Sequence, residues 1–429
     1  MKHKTFPLLS VAGALLAGCG LLQAADWYVA PAGSDAGAGS LEKPFATVQR
    51  AQQAANPGDT VQIRGGTYRM KNSDISKSKG PYASLTFLDK SGTKDKPITY
   101  RAYRDEKPVF DCTDVKPPGK RVSVFSVTGS WLRLVGLEVT GVQVTITDHT
   151  QSICFHNNGS NNIYERLLMH DTQAIGIYSV EGSNNLFLNC DAWNNWDSTS
   201  EGGRGGNSDG FGCHPPKGST GNVFRGCRAW FNSDDGFDCI NARESVTFEN
   251  CWAFYNGFTP DMKKRADGNG FKAGGFGKTP ASELPSTIPR HTVRNCVAVG
   301  NKAAGFYANH QPGGGDWLNN SAYRNSVNYN MLCRLIDEVT DVDGYGHKLV
   351  NNLSYGSRWD ILKYDASKCQ ASGNSFTTGL KLTDKDFVSL DDKELLRPRK
   401  PNGDLPDMGF LRPAPRSAIV TQGIGAFGK

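Results

Sequence analysis

The sequence N-S-D-D-G-F-D at residues 232–238 is repeated in part by G-N-G-F-K at residues 268–272 and by S-D-G-F-G at residues 208–212. Each segment contains a Gly-Phe pair, and a fourth pair follows at residues 305–306. Aligning the pairs forms one column before glycine and one after phenylalanine: Asp209, Asp235, Asn269 and Ala304, and Gly212, Asp238, Lys272 and Tyr307. If each repeat is one coil of a solenoid, a column is a line of side chains about 4.8 Å apart. The alignment therefore predicts that Lys272 lies one coil from Asp238, beside a cluster of aspartates: Asp209, Asp234, Asp235 and Asp238.

A second repeat, built on cysteine, supports a solenoid. Cysteine recurs in L-N-C-D-A, R-G-C-R-A, E-N-C-W-A and R-N-C-V-A, and an asparagine follows it five positions later. The polar column then reads Asp171, Asn195, Asn232, Asn256, Asn301 and Asn325, with separations of 24, 37, 24, 45 and 24 residues. A recurring separation with insertions is typical of solenoid coils that carry variable loops. Asparagine side chains stacked at such a turn can hydrogen-bond along the column.

The rest of the chain favours β-structure. From about residue 97 it consists of short alternating segments broken by Gly, Asn and Asp, and 49 of the 429 residues are glycine. Such segments are too short and too rich in glycine for a helical repeat. We therefore predict an all-β fold, a parallel β-helix that forms one domain over residues 26–429. Residues 26–70, with a short helix at residues 44–55, would cap its N-terminal end, and residues 358–429 its C-terminal end.

Residues 1–25 are predicted to be a secretory signal peptide. Lys2 and Lys4 precede an uncharged apolar run that ends near residue 22. The sequence L-A-G-C, ending at Cys19, resembles a lipobox, and its use would produce an outer-membrane lipoprotein. Cleavage at the end of the segment would instead release a secreted, extracellular protein, and an uncleaved anchor is a third option. No later segment reaches the roughly 18 uncharged apolar residues that a membrane span needs.

Composition limits the partners and the cysteine chemistry. The formal charge of +6 is compatible with a polyanionic partner but too small to indicate one, and we predict no nucleic-acid partner. Eleven cysteines in an exported chain suggest disulfides. The repeated position of four of them instead suggests a buried column of free thiols: Cys190, Cys227, Cys251 and Cys296. No C-x-x-C pair indicates a zinc site, and we expect a monomer.

The aspartates of the two columns predict a bound cation. Carboxylates that lie close together raise each other's pKa, and a hard cation relieves their repulsion. Asp209, Asp234, Asp235 and Asp238 offer only oxygen, which favours calcium over zinc. Their spacing does not match an EF-hand loop, so the ligands would come from different coils. An acidic turn exposed to water is the alternative interpretation.

Lys272 beside such a site predicts base catalysis. Ion pairing with the aspartates alone would raise the pKa of this lysine, but calcium would neutralise the carboxylates and help the lysine to lose its proton. A neutral lysine is a general base, and a base beside a divalent cation suits proton abstraction α to a carboxylate. On a uronate polymer this removes the C5 proton, expels the glycosidic oxygen at C4 and leaves a 4,5-double bond. A salt-bridged lysine without a catalytic role is the alternative.

The same residues resemble the pectate lyases of polysaccharide lyase family nine. The similarity is carried by N-S-D-D-G-F-D, by the upstream S-D-G-F-G, by C-R-A-W at residues 227–230 and by G-N-G-F-K-A-G-G at residues 268–275. It extends from about residue 27 to near the C-terminus. The resemblance implies a right-handed parallel β-helix of about ten coils that cleaves pectate by calcium-dependent β-elimination. It further implies that calcium is held by Asp209, Asp234, Asp235 and Asp238, and that Lys272 is the catalytic base.

Two basic residues in the insertions are predicted to bind substrate. Lys217 lies in G-C-H-P-P-K-G-S-T-G at residues 212–221, in rough register with a basic loop of the family, and Arg265 ends the run Lys263-Lys264-Arg265. The rest of these loops departs from the family pattern. The predicted substrate is therefore an acidic plant cell-wall polysaccharide, pectate, with rhamnogalacturonan, cleaved by the same mechanism, as the alternative.

Two other classes of protein remain as alternatives. A glycoside hydrolase on the same solenoid could use Asp234 and Asp235 as acid and base, although it would need neither the lysine nor calcium. A non-catalytic β-helix could bind polysaccharide with structural calcium. The solenoid fold alone does not distinguish these classes from a lyase.

Overall fold

The computed structural model describes residues 1, 24–277, 279–337 and 339–428 of the chain. The predicted signal segment, with Cys19, lies outside the described residues except at its two ends. Within the described ranges, no helix is long and apolar enough to cross a membrane. The signal peptide therefore stays a prediction.

Three long sheets form the body of the molecule. Adjacent strands in each sheet come from successive coils, except for the hairpin that begins sheet C. Sheet A has twelve strands: Asp26–Val29, Thr60–Ile63, Ile98–Ala102, Leu132–Val135, Ile163–Glu165, Leu186–Leu188, Asn222–Arg225, Val246–Glu249, Thr292–Arg294, Asp316–Leu318, Lys348–Val350 and Gln370–Ser372. Sheet B has ten: Gly66–Lys71, Pro108–Asp114, Glu138–Thr140, Leu168–His170, Asp191–Trp193, Arg228–Trp230, Trp252–Phe254, Val297–Val299, Ser321–Tyr323 and Leu353–Tyr355. Sheet C has eleven: Lys77–Lys79, Tyr82–Leu88, Arg121–Val127, Ser152–Asn157, Ala174–Ser179, Phe211–Cys213, Phe237–Asp238, Phe271–Lys272, Ala304–Tyr307, Val327–Asn330 and Ile361–Leu362.

The pairing within these sheets is that of a parallel β-helix. Neighbouring strands run parallel, apart from the first two strands of sheet C, which are antiparallel. A separate antiparallel pair joins Cys333–Arg334 to Asp341–Val342. The predicted all-β fold is confirmed, and the ten to twelve strands of each sheet are close to the expected ten coils.

Helices are short and lie at the ends and in turns. The described α-helices are Val48–Ala54 and Ala418–Gln422, and the 3-10 helices are Asn72–Asp74, Ser200–Gly202, Ala281–Glu283, Ala366–Lys368, Asp384–Asp386 and Asp392–Leu396. The first α-helix lies within the segment predicted to be helical and begins where Thr47 Oγ1 accepts a hydrogen bond from Arg50 N, 3.0 Å long. Its residues Val48 and Ala51 are buried in the main core, so the helix packs against the first coils.

Stacked phenylalanines fix the register of the central coils. The backbone pairs Phe211 with Phe237, Phe237 with Phe271, and Phe271 with Phe306. The ring centroids of successive partners are 4.9, 4.7 and 5.2 Å apart, and all four rings are buried. Because each ring faces the interior, the residues on either side of it point outward in step. The predicted alignment of the Gly-Phe pairs is therefore confirmed.

An asparagine ladder runs through the turn between sheets B and C. Each side-chain amide donates to the Oδ1 of the next coil over 2.8 to 3.1 Å, in the order Asn195, Asn232, Asn256, Asn301 and Asn325. The prediction that Asp171 belongs to this column is wrong by one residue. Thr172 Oγ1 donates to Asn195 Oδ1 at 2.9 Å, whereas Asp171 is exposed. The coil from Thr172 to Asn195 is one residue shorter than the repeat of 24, and this shifts the register.

The C-terminal segment packs against the outer face of sheet B. Phe387, Met408 and Phe410 form a second apolar cluster with sheet-B side chains such as Trp252 and Tyr323. A buried ion-pair cluster also joins the two parts: Asp191 Oδ2 lies 2.7 Å from Arg228 Nη2, and Asp191 Oδ1 lies 2.6 Å from Arg399 Nη2. The cap boundaries at residues 70 and 358 stay predictions.

The cysteines behave as small buried side chains. The four cysteines of the repeated motif are fully buried in the main core, and each of the ten described cysteines has a free thiol: Cys112, Cys154, Cys190, Cys213, Cys227, Cys239, Cys251, Cys296, Cys333 and Cys369.

Candidate active site

The aspartates and the lysine lie where the chain passes from sheet B to sheet C. Three consecutive turns make this passage, at residues 194–210, 231–236 and 255–270. The middle turn is short and the turns before and after it are long, so the middle coil lies between two insertions. The adjacent aspartates of N-S-D-D lie in the short turn. Asp238 and Lys272 lie on the strands that follow the second and third turns.

The column before each glycine is a hydrogen-bonded ladder. Asp209 Oδ1 accepts from the backbone N–H of Asp235 at 3.1 Å. Asp235 Oδ1 accepts from both the backbone N–H and the side-chain amide of Asn269, each at 2.8 Å. Asn269 Oδ1 then accepts from Ala304 N at 3.1 Å. Each residue thus satisfies a backbone donor of the next coil, and the second oxygen of Asp235 is left facing Lys272.

Three carboxylates form a buried cluster at this point. Asp209, Asp234 and Asp235 each contribute one oxygen, and the three oxygens lie within 4.8 Å of one another. Asp234 Oδ1 is buried and has no hydrogen-bond partner among the described residues. Burial and the neighbouring carboxylates raise the pKa of Asp209 and that of Asp234 well above the usual aspartate value. Buried carboxylate oxygens, one of them without a partner, are suitable ligands for a calcium ion, so the residues fit the ion that the sequence predicts.

Asp238, the fourth predicted ligand, lies outside this cluster of three. Its Oδ1 accepts a hydrogen bond from Ile240 N at 2.8 Å, and its Oδ2 lies 3.5 Å from Lys272 Nζ. Asp238 and Lys272 are direct neighbours in the register of sheet C, as the alignment predicts. The structure therefore places Asp238 next to the lysine, and its role as a ligand stays a prediction.

Lys272 is held between two carboxylates. Its Nζ lies 3.0 Å from Asp235 Oδ2 and 3.5 Å from Asp238 Oδ2, and its side chain is 13% exposed. Burial lowers the pKa of this lysine, but the four aspartates together outweigh burial and raise the pKa well above its usual value. Without a compensating positive charge the amine therefore stays protonated.

His214 is a neighbour of the site that sequence reasoning missed. Its Nδ1 lies 3.0 Å from Tyr178 Oη, and its Nε2 lies 3.7 Å from Asp238 Oδ2. Tyr178 and Asp238 flank Gly212 in the register of sheet C, and a Cβ at Gly212 would lie 2.6 Å from Tyr178 Cδ2. The glycine therefore makes room for the tyrosine ring. The signal for it in the sequence is a histidine two residues after Gly212, a position of the aligned column.

The two predicted substrate-binding residues line different cavities. Lys217 is exposed and borders a cavity of about 580 Å³ with Arg243 and residues 284–290. Arg265 borders another cavity, of about 590 Å³, with Trp196. A third cavity, of about 610 Å³, lies in the N-terminal region and contains none of the candidate residues. The structure does not bring Lys217 and Arg265 together, and both assignments stay predictions.

Comparison with known proteins places the chain in a family. The family model described as Pel9A-like, right handed beta helix region matches residues 27–352, and one described as rhamnogalacturonan lyase-like, C-terminal matches residues 365–429. Pectate lyase L of Dickeya chrysanthemi is 32% identical over 406 residues, which cover 92% of this chain and 85% of that protein.

Two solved structures are also similar. A structure of a rhamnogalacturonan lyase has a TM-score of 0.89 and 46% identity, covering 94% of this chain and 99% of its own. The crystal structure of pectate lyase Pel9A has a TM-score of 0.73 and 31% identity, covering 93% of this chain and 92% of its own. These matches confirm the right-handed β-helix and favour an enzyme of the lyase class over the hydrolase and non-catalytic alternatives. The chain therefore belongs to the Pel9A-like right-handed β-helix family of the family-nine pectate lyases and is a polysaccharide lyase.

Proposed function

We propose that the chain is a calcium-dependent lyase that cleaves a galacturonate-containing polysaccharide by β-elimination, with Lys272 as the general base. The observation that carries this proposal is the position of Lys272 Nζ, 3.0 Å from Asp235 Oδ2 and beside the cluster of three buried carboxylates. Asp209, Asp234, Asp235 and Asp238 would hold the calcium ion. With Lys272 as the base, the reaction does not need the pair of carboxyl groups that a glycoside hydrolase uses.

The reaction removes the proton on C5 and breaks the bond between C4 and the glycosidic oxygen. The neutral amine of Lys272 takes the proton from C5 of a uronate, and the electron pair left on C5 forms the double bond to C4. The bond between C4 and the glycosidic oxygen breaks, and the departing chain keeps that oxygen and takes a proton from water. The proton that Lys272 then releases neutralises the hydroxide and restores the base. When bound, calcium supplies positive charge to the uronate carboxylate, where negative charge develops as C5 loses its proton.

Neighbouring residues hold the base in place. Asn269 anchors Asp235 Oδ1 with two hydrogen bonds, so that Oδ2 stays directed at the amine. Asp238 belongs to the strand of the preceding coil, and its Oδ2 lies 3.5 Å from the amine. Together these contacts restrict Lys272 to a small volume, which is what proton abstraction from a positioned carbon requires.

Two substrates are candidates. Pectate is favoured by the relatives named pectate lyase, at 31 to 32% identity. Rhamnogalacturonan, in which galacturonate alternates with a neutral sugar, is favoured by the 46% identity to a rhamnogalacturonan lyase and by the match of residues 365–429. We rank rhamnogalacturonan first, because that neighbour is the more similar of the two solved structures over almost the same share of the chain.

The test is the ultraviolet absorbance of the unsaturated uronate during digestion of each polymer, with calcium and then with chelator. We expect absorbance that chelator abolishes, and a higher kcat/KM on rhamnogalacturonan. A polymer that shortens without this absorbance would contradict β-elimination, and full activity in chelator would remove calcium from the reaction.

We also propose that the chain is exported as a monomer, by a signal at residues 1–25. Support comes from Lys2, Lys4 and the apolar run that follows them. Cell fractionation with a Cys19→Ser variant separates the two forms of export. Loss of membrane association in this variant would indicate a lipid anchor, and an unchanged location would indicate ordinary signal cleavage.

A further inference from the structure

A cavity lies between the two long turns that flank the site. It has a volume of about 590 Å³, and the two turns contribute Trp196 and Arg204 from one side and Lys264 and Arg265 from the other. The short turn that carries Asp234 lies between these two insertions in the order of coils. Ser233 Oγ, next to Asp234, donates to Gly205 O at 2.6 Å. Arg204 and Gly206, on either side of Gly205, both line the cavity, so this hydrogen bond links its wall to the turn that carries Asp234.

The lining of this cavity carries more positive than negative charge. Arg204, Lys264, Arg265 and Lys302 line it, against the carboxylates of Glu201 and Asp267. Glu201 is already engaged, by His149 at 3.4 Å and by the side-chain amide of Asn207 at 2.7 Å. Within the described ranges, no salt bridge joins a carboxylate to Arg204, Lys264 or Arg265. Glu201 and Asp261 interact with Arg204 and Arg265, respectively, only through longer-range electrostatics. Cations that outnumber the carboxylates around a cavity favour an anionic ligand.

The guanidinium group of Arg265 is fixed in position within this cavity. Its guanidinium lies over the ring of Trp196, with Cζ 4.7 Å from the ring centroid. Its Nη1 donates to Asn194 Oδ1 at 3.0 Å and to Phe231 O at 3.3 Å, whereas its Nε is buried without a hydrogen-bond partner in the described part of the chain. Stacking on an aromatic ring and hydrogen bonds to neutral oxygens fix the guanidinium without neutralising it.

Lys302 stabilises the wall that carries Arg265. Its Nζ donates to the backbone oxygens of Arg265 and Ala266, the former at 3.0 Å. Gly257 and Gly268 also meet at the base of this turn, where a Cβ on Gly257 would lie 2.6 Å from Gly268 Cα. The turn is thus closed at its base and fastened to the next coil, so the cavity is a formed feature of the fold.

We propose that this cavity is an anionic subsite, which binds the carboxylate of a uronate other than the one attacked by Lys272. The inference rests on the proposed function, because the ligand is a second carboxylate of the same polysaccharide. Arg265 would make the main contact, since a guanidinium binds a carboxylate with two aligned donors. Arg204 and Lys264 would add attraction from the exposed rim. The subsite selects polymers that carry a second uronate near the bond that is cleaved.

The test is a kinetic comparison of full-length variants on the better of the two polymers. The double variant Arg204→Gln/Lys264→Gln and the single variant Arg265→Gln are compared with Lys263→Gln. Lys263 is a matched control, because it is next in sequence but exposed and paired with Asp261 at 2.8 Å. We expect KM to rise about three- to tenfold in the double variant and about tenfold or more in Arg265→Gln, with kcat within about twofold of the wild type. Lys263→Gln should leave both constants unchanged.

Two further measurements separate binding from a structural role. Arg265→Lys should recover part of the lost affinity, because it restores the charge but not the fork of donors. Raising the ionic strength should increase KM less in the double variant than in the wild type, because two of the attracting charges are gone. If the double variant keeps the wild-type KM and the wild-type salt dependence, the subsite is overturned. If the wild type itself produces no unsaturated uronate, the proposed function fails instead, so the two failures are distinguishable.

Discussion

Lys272 Nζ lies 3.0 Å from Asp235 Oδ2, on a carboxylate whose other oxygen accepts two hydrogen bonds from Asn269. The carboxylate cannot turn away from the lysine without breaking both of these bonds. The amine therefore faces a fixed negative charge, which favours its protonated form. Loss of its proton requires a compensating positive charge, and this requirement couples the proposed role of the lysine as a base to the proposed calcium site.

Replacing the lysine should abolish turnover with little effect on binding. We expect Lys272→Met to lower kcat by about 10²- to 10⁴-fold, the usual contribution of a general base, with KM nearly unchanged. Methionine keeps much of the side-chain volume and removes the amine. The absorbance assay measures the loss, and Lys263→Met, at an exposed position, is the control. A variant that retains more than about a tenth of the wild-type kcat would argue against the lysine as base.

Asp234→Asn should have opposite effects on stability with and without calcium. The substitution removes one of three buried, mutually repelling carboxylates, so in chelator the variant should have a higher Tm than the wild type. With calcium the order should reverse, because we expect the affinity for the ion to fall about tenfold or more. Differential scanning calorimetry across a calcium titration provides both values. Asp105→Asn, at an exposed aspartate near the N-terminal end of the solenoid, is the control.

The stability of the calcium-free protein should depend on pH in a defined direction. The pKa of Asp209 and that of Asp234 are raised by burial and by neighbouring carboxylates, so the folded protein binds these protons more tightly than the unfolded chain does. This contribution is fully present below the usual aspartate pKa and is lost as pH rises through the raised values. We expect the free energy of unfolding in chelator to fall as pH rises toward neutrality, and calcium to remove this fall. Urea titrations at several pH values measure it, and a pH-independent result in chelator would contradict the cluster.

Activity should rise toward alkaline pH. Burial lowers the pKa of Lys272, but the surrounding aspartates raise it well above the usual lysine value, and only the neutral amine accepts a proton. The pH profile of kcat/KM should therefore ascend, and a higher calcium concentration should move it to lower pH, because the ion offsets the aspartates. A maximal rate at mildly acidic pH would be inconsistent with a lysine base.

The stability that the packing of the C-terminal segment provides should depend on one buried aspartate. Asp191 pairs with Arg228 at 2.7 Å and with Arg399 at 2.6 Å, and all three side chains are nearly buried. Asp191→Asn leaves two buried guanidinium groups without a counter-charge, and we expect a loss of about 3 to 5 kcal/mol in the free energy of unfolding. Asp316→Asn removes a more exposed partner, of Arg290, and should cost about 1 kcal/mol or less. Denaturant titration compares the two, and equal losses would contradict a special role for Asp191.

The central columns could be predicted because the repeat is local and regular. Each of these coils places one phenylalanine inside. The residues around Phe237 and Phe271 are therefore in register, although the insertions between the repeats differ in length. The same logic misplaced Asp171, because a coil one residue shorter than its neighbours leaves no mark in the motif itself. The alignment also placed Asp238 next to Lys272, as the structure does, and the role of Asp238 as a calcium ligand stays a prediction.

The sequence by itself determined the solenoid, the register of its central coils and the proximity of Lys272 to the aspartates, because stacking of identical side chains repeats along the chain. Only the tertiary structure decided which carboxylates share a cluster, how His214 meets Asp238, and that Arg204 and Arg265 line one cavity. These relationships depend on side-chain orientation and on the packing of two long turns against each other. Side-chain orientation and the packing of these turns do not follow the repeat, so the spacing of residues in the sequence does not predict them.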